Sequence, residues 1–232
     1  MLRDRALLPL LAALAVLPGC ERLQPFEQAC AARLAPARVE VVTEPVHYTT
    51  DLSRSIGDLT TRQSNPWGRA VMGLVTADLK SEVAVSARGL GDRSGSRYCI
   101  RPDVTVRLAF SPMTLYVARE HPPGTCAHRL TLEHELKHVR VYRDYLEDVR
   151  ADIDTKLREK FGGKPMVYGS EAESQAAVRA LLDETLAPYV QDAMREVLDL
   201  QKLVDSPHEY ARLDLEQARC SLGETPVQAA GG

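Results

Sequence analysis

The sequence predicts an α+β chain: a mainly antiparallel sheet with one short helix, followed by long C-terminal helices. Two patterns carry that reading. Runs rich in Val, Leu and Thr, separated by turn residues, fill most of the stretch from Arg38 to Glu120, and from Leu132 onward apolar residues recur every three or four positions. Length and composition agree, since 232 residues at 44% hydrophobic content suffice for one well-buried core.

The elements follow in order. Residues 21–36 read as a polar linker rich in Ala, Arg and Pro, and a single domain is expected over 37–220. Arg38 to Thr50 alternates as a strand does, and Leu52, Ile56 and Leu59 then recur at helical spacing up to Arg62. Five short strands are expected at Val71–Ala77, Val83–Ala87, Tyr98–Ile100, Val104–Phe110 and Thr114–Ala118, with a mobile tip from Gly89 to Ser96. The glycines of that tip precede no helix, so they do not make a phosphate cradle.

Leu132, Leu136, Val139, Tyr142, Leu146, Val149, Ile153 and Leu157 mark one long helix that Gly162-Gly163 ends. A second begins at the capping pair Ser170 and Glu173 and is expected to kink at Pro188. A third begins at Ser206-Pro207 with Glu209 completing the capping box. Residues 221–232 read as a disordered tail.

The first twenty residues differ from the rest. Arg3 and Arg5 precede an apolar run from Leu7 to Leu17, and Leu17-Pro18-Gly19-Cys20 resembles a bacterial lipobox. Residues 1–20 therefore read as a signal peptide. Two outcomes are open: membrane attachment through a lipidated Cys20, as in a periplasmic or outer-membrane lipoprotein, or ordinary secretion. Export implies an oxidising compartment, and with Cys20 set aside Cys30, Cys99, Cys126 and Cys220 form an even set. Four cysteines permit three connectivities; the preferred one is Cys30 with Cys99 and Cys126 with Cys220, which would tie the segment before the motif helix to the last helix. The formal charge is -3 and Lys and Arg are scattered, which argues against nucleic acid as a partner.

The chemistry is concentrated in His134-Glu135-Leu136-Lys137-His138. Histidines four residues apart project from a helix within about 40° of each other, so both imidazoles can reach one metal ion. Glu135 lies beside that face, placed to take a proton from water without being a ligand. A catalytic zinc needs a third protein ligand. Asp144 follows at a suitable distance, but the helical pattern continues through Val141 and swings it away. The segment Asp205-Ser206-Pro207-His208-Glu209-Tyr210 offers two candidates. His208 is the expected third ligand because Glu209 already has a capping task; Glu209 is the alternative. His47, His121 and His128 stand alone and read as structural or solvated. Tyr142, Tyr145 and Tyr210 could each supply a hydroxyl to a developing oxyanion, and could equally be core.

The order of exported N-terminus, strand with Val46-His47-Tyr48, short helix, sheet with Cys99 and long helix opening on His134-Glu135-Leu136-Lys137-His138 resembles the bacterial family of predicted secreted zinc-dependent proteases. The resemblance covers residues 37 to 215, and only the zinc motif in it is specific. It implies a zincin-like α+β fold, a Zn2+ ion and hydrolysis of peptide or protein substrates in the cell envelope. It also implies a histidine a few residues after an aspartate, to which Asp205 with His208 is similar. A reading from another class is a non-catalytic envelope lipoprotein or binding module with a structural or vestigial metal site.

Overall fold

The computed structural model describes residues 25–63 and 68–223. The expected signal peptide with Cys20, and residues 224–232 of the expected tail, lie outside those residues. Among the described residues the architecture is mixed α/β, with a five-stranded open sheet and five helices.

Its central strand, β4 (Tyr98–Val117), forms a long antiparallel hairpin with β3 (Gly73–Gly91). The five short strands expected here are thus segments of two long ones. The turn residues that divide them in sequence, Asp78 and Ser111-Pro112, sit at one irregularity where the register shifts and the ladder then resumes. β4 carries one more residue there than β3. Its buried side chains accordingly change parity, from Val104, Val106, Leu108 and Phe110 to Met113, Leu115 and Val117.

The other side of β4 takes β1 (Val39–Thr43), β2 (Thr49–Asp51) and β5 (Met166–Tyr168). β1 and β2 run parallel to β4, so the sheet is mixed, while the β3 and β5 pairings keep it mainly antiparallel, as expected. Alternation shows which residues are half-buried and carries no information on strand direction. With β1, β2 and β5 all on the far side, β3 is an outermost strand over its whole length.

Three long helices cover one face. α3 (Cys126–Phe161) starts at Thr125, whose hydroxyl accepts from the His128 amide at 3.1 Å, and ends at Gly162. Its inward stripe of Tyr142, Leu146, Val149, Ile153 and Leu157 packs on β4 and β1; burying each such side chain contributes about 1.5–3 kcal/mol. α4 (Glu171–Val204) is capped by Ser170, passes through Pro188 and ends at Asp205. α5 (Pro207–Ser221) follows after the single cap residue Ser206. On the other face α2 (Ile56–Arg62) closes a small cluster of Leu59, Leu74 and Ala118.

The segment expected as a linker holds a short helix, α1 (Phe26–Arg33), whose buried Cys30 is disulfide-bonded to Cys99. The second disulfide joins Cys126 to Cys220, so the pairing is the preferred one. Two disulfides fit an oxidising, exported environment. Among the described residues no helix is long and apolar enough to cross a membrane.

Cys126 opens α3 and Cys220 lies in the last turn of α5, a separation of 94 residues, so this bond fixes α5 against the motif helix. A Cys126→Ser, Cys220→Ser chain should unfold at lower urea concentration, losing about 2–5 kcal/mol. An unchanged midpoint would show that packing alone holds α5 in place.

Candidate metal centre

Three acceptor atoms, two from one helix and one from the end of another, converge on one point. His134 Nε2 lies 3.3 Å from His138 Nε2 and 3.2 Å from Asp205 Oδ1, and His138 Nε2 lies 3.5 Å from the same oxygen. Both histidines come from consecutive turns of α3, and Asp205 is the residue that ends α4.

The opposite ring nitrogens decide the tautomers. His138 Nδ1 lies 2.6 Å from Gln201 Oε1, and the Gln201 amide nitrogen donates to the His138 carbonyl at 3.1 Å. Gln201 thus offers only its oxygen to the ring, so Nδ1 carries the hydrogen. His134 Nδ1 faces Glu209 Oε1 at 3.3 Å. Both Nε2 lone pairs therefore point at the Asp205 carboxylate and at each other. Three acceptors this close repel unless a proton or a cation lies among them. Ligands about 2.0–2.1 Å from a tetrahedral ion stand about 3.3–3.4 Å apart, which the three separations match. His134, His138 and Asp205 form a group that could hold a metal ion.

The charges around this group follow. When a proton and not a cation lies among the three atoms, burial opposes ionisation of Asp205, but hydrogen bonds from imidazole protonated at Nε2 and from the Tyr210 hydroxyl, 2.9 Å away, hold its carboxyl well below the usual range. Burial disfavours a charged His138 too, yet the hydrogen bond to Asp205 and the neighbouring Glu135 outweigh it and push the ring upward. Glu209 resists its own burial through Arg212, Lys137 and His134, which hold it at about 2. Lys137 Nζ lies 2.6 Å and Arg212 2.7 Å from Glu209 Oε1.

The expected site residues are placed as follows. His134, Glu135 and His138 are buried and line one cavity. His208, the expected third ligand, is exposed on the first turn of α5 and outside the cluster; Asp205 stands in its place. The helical turn explains this, because α5 turns Glu209 and Tyr210 toward α3 and leaves His208 about 100° away from Glu209. The alternative, Glu209, contacts the far nitrogen of His134 as an orienting partner. Its carboxylate has taken up Lys137 and Arg212 in place of the capping task read from the sequence. Asp144 is exposed and paired with Arg143. His47 is exposed, His121 bonds Thr131, and His128 bonds the His121 carbonyl. Tyr145 is committed to Glu196 and Tyr142 packs edge-on against Phe110, so of the three tyrosines Tyr210 is the one bonded to the cluster.

Comparison with family models, with curated proteins and with solved structures finds no match for this chain.

Glu135 lies deep in the cavity under the first residue of β3. A Cβ built on Gly73 would stand 2.6 Å from Glu135 Cγ, so only glycine lets the strand approach this closely. Val71, Leu74, Leu130, Leu198 and Leu213 make apolar wall, and Gln63, Thr131 and Gln217 add polar groups to the lining. Across the mouth Arg69 pairs with Asp214 and lies 5.1 Å over the Tyr210 ring.

Burial pushes Glu135 up from 4.5 to about 7, against the pull of His138 and His134. An acid whose pKa is higher in the folded chain stabilises it fully below pH 4.5, and that contribution is lost as the pH rises toward 7. Urea unfolding of metal-stripped protein should therefore find Glu135→Gln more stable than the parent at pH 8, by on the order of 3 kcal/mol, with the two nearly equal at pH 4.5. The same difference at both pH values would contradict this account of Glu135.

Proposed function

We propose that this chain is an exported, zinc-dependent peptidase or amidase of the zincin type, built on His134, Glu135, His138 and Asp205. The observation that carries the reading is the convergence of two imidazole nitrogens and one carboxylate oxygen beside a buried glutamate in one cavity. Two nitrogens and one oxygen suit zinc, and three protein ligands leave a position open for chemistry. Bound zinc supplies Lewis acidity, which activates water and polarises an amide carbonyl.

The chain's own groups then divide the work. Glu135, poised near neutrality, accepts a proton from water at its carboxylate and returns it to the leaving amine. Tyr210, held near the cluster by Arg69 across its ring, turns its single O–H from Asp205 toward the oxygen that gains charge. Glu209 and Gln201 fix the two ring orientations. β3 passes the cavity as an outermost strand, so an extended peptide can lie along its edge with an apolar side chain against Leu74, Leu198 or Leu213. The paired cysteines and the lipobox-like Leu17-Pro18-Gly19-Cys20 support a place of work in the periplasm, at the membrane as a lipoprotein, or outside the cell.

The test is hydrolysis of an unstructured protein such as casein by the zinc-loaded chain. Glu135→Gln should retain zinc and lose at least about 10³-fold in rate, and Tyr210→Phe should lose about 10²–10³-fold in kcat. Full activity of Glu135→Gln would overturn the mechanism. A zinc-loaded parent that cleaves nothing would favour the non-catalytic binding module.

A further inference from the structure

The edge of β3 divides into two parts. At Leu79 the main-chain N–H points to Met194 Sδ of α4, 3.3 Å away, and not to β4. Beyond that point the ladder to β4 runs without a shift to Gly91. The Asp92 amide, on the same register, donates back to Arg97. Even-numbered residues thus bond inward, and Ser81, Val83, Val85 and Ala87 turn their N–H and C=O groups outward. Among the described residues no strand pairs with them.

The segment lacks the usual protections of an edge. Glu82 to Ala87 are six consecutive exposed residues, and 83–87 contain no charge, no proline and no bulge. Val83 and Val85 face the same side of the sheet as Val106 and Val104, yet they are 42% and 45% exposed. An open apolar ladder of this kind pairs with another strand when one is offered.

The sequence of the segment is complementary to itself in one antiparallel register. With Val85 opposite Val85 of a second copy, Val83 meets Ala87, Ala84 meets Ser86, and Glu82 meets Arg88 twice across the twofold axis. Glu82 has no ion pair among the described residues; Arg88 is held by Asp103 at 2.9 Å and by the Pro36 carbonyl at 3.1 Å, and meets Glu82 of the second copy by turning its guanidinium outward from them. Centring the pairing one residue earlier instead sets Lys80 against Arg88, a like-charge contact. We propose that the outer half of β3 is the dimer interface of this protein, joining two sheets edge to edge around Val85. The interface is independent of the metal centre, which lies before the irregularity at Asp78.

Analytical ultracentrifugation of the mature chain tests it, with cysteine cross-linking to fix the register. The parent should sediment as a dimer, and Val85→Lys, which sets two ammonium groups against each other, should raise the dissociation constant at least tenfold; Glu82→Arg should weaken it in the same direction. Val85→Cys should form an intermolecular disulfide on a non-reducing gel, because directly opposed residues of a bonded pair stand about 5.5 Å apart. Val83→Cys, several residues from its counterpart, should not. A parent chain that is monomeric at 100 µM, a Val85→Lys chain that stays dimeric, or cross-linking at residue 83 and not 85 would overturn the proposal.

Discussion

Three electron-pair donors point at one another in one cavity, two of them on buried imidazoles, and most of the C-terminal half can be read as the means of keeping them there. Two are supplied locally by α3, where the helical turn sets His134 above His138. The third comes from the end of α4, 71 residues after His134, and needs tertiary structure to arrive. Left to themselves these atoms repel. Their convergence is held by Gln201 behind one ring, Glu209 behind the other, and Tyr210 behind the carboxylate.

That support has its own support. Glu209 lies close to His134 because Lys137 and Arg212 neutralise it, and Arg212 sits on the helix that the Cys126–Cys220 disulfide ties to the start of α3. The same bond therefore serves stability and site geometry, and disturbing α5 should disturb the histidine rings before it disturbs the sheet. β3 acts from the other side: Gly73 lets a strand edge come down onto Glu135, and burial of that carboxylate follows.

Much of this was legible in the sequence, and the parts that were not share a cause. The helix periods, the Ser170 and Ser206 caps, the Gly162 stop and the His134, Glu135 and His138 constellation are local patterns, and the preferred disulfide pairing was narrowed by an expected export signal and an even count. Strand direction and the identity of the third acceptor depend on which distant residues meet. Asp205 did leave signals. A carboxylate at a helix C-terminus faces the negative end of the dipole, an unfavourable place unless a positive group is near. Gln201, four residues earlier, interrupts the buried stripe of Ala193 and Val197 on the same face. His208 drew attention by residue type, whereas the turn of α5 decides that it faces solvent. The linker containing α1 was missed for a related reason, since eight residues of weak amphipathicity are held by Cys30 more than by their own pattern.

The account rests on Asp205 completing the centre. Calorimetric titration of zinc into the metal-stripped chain, with Asp205→Ala and His208→Ala side by side, tests this most directly. The account predicts one zinc per chain, a loss of about 10²-fold or more in affinity for Asp205→Ala, and parental affinity for His208→Ala. Parental affinity for Asp205→Ala together with weakened binding for His208→Ala would contradict it.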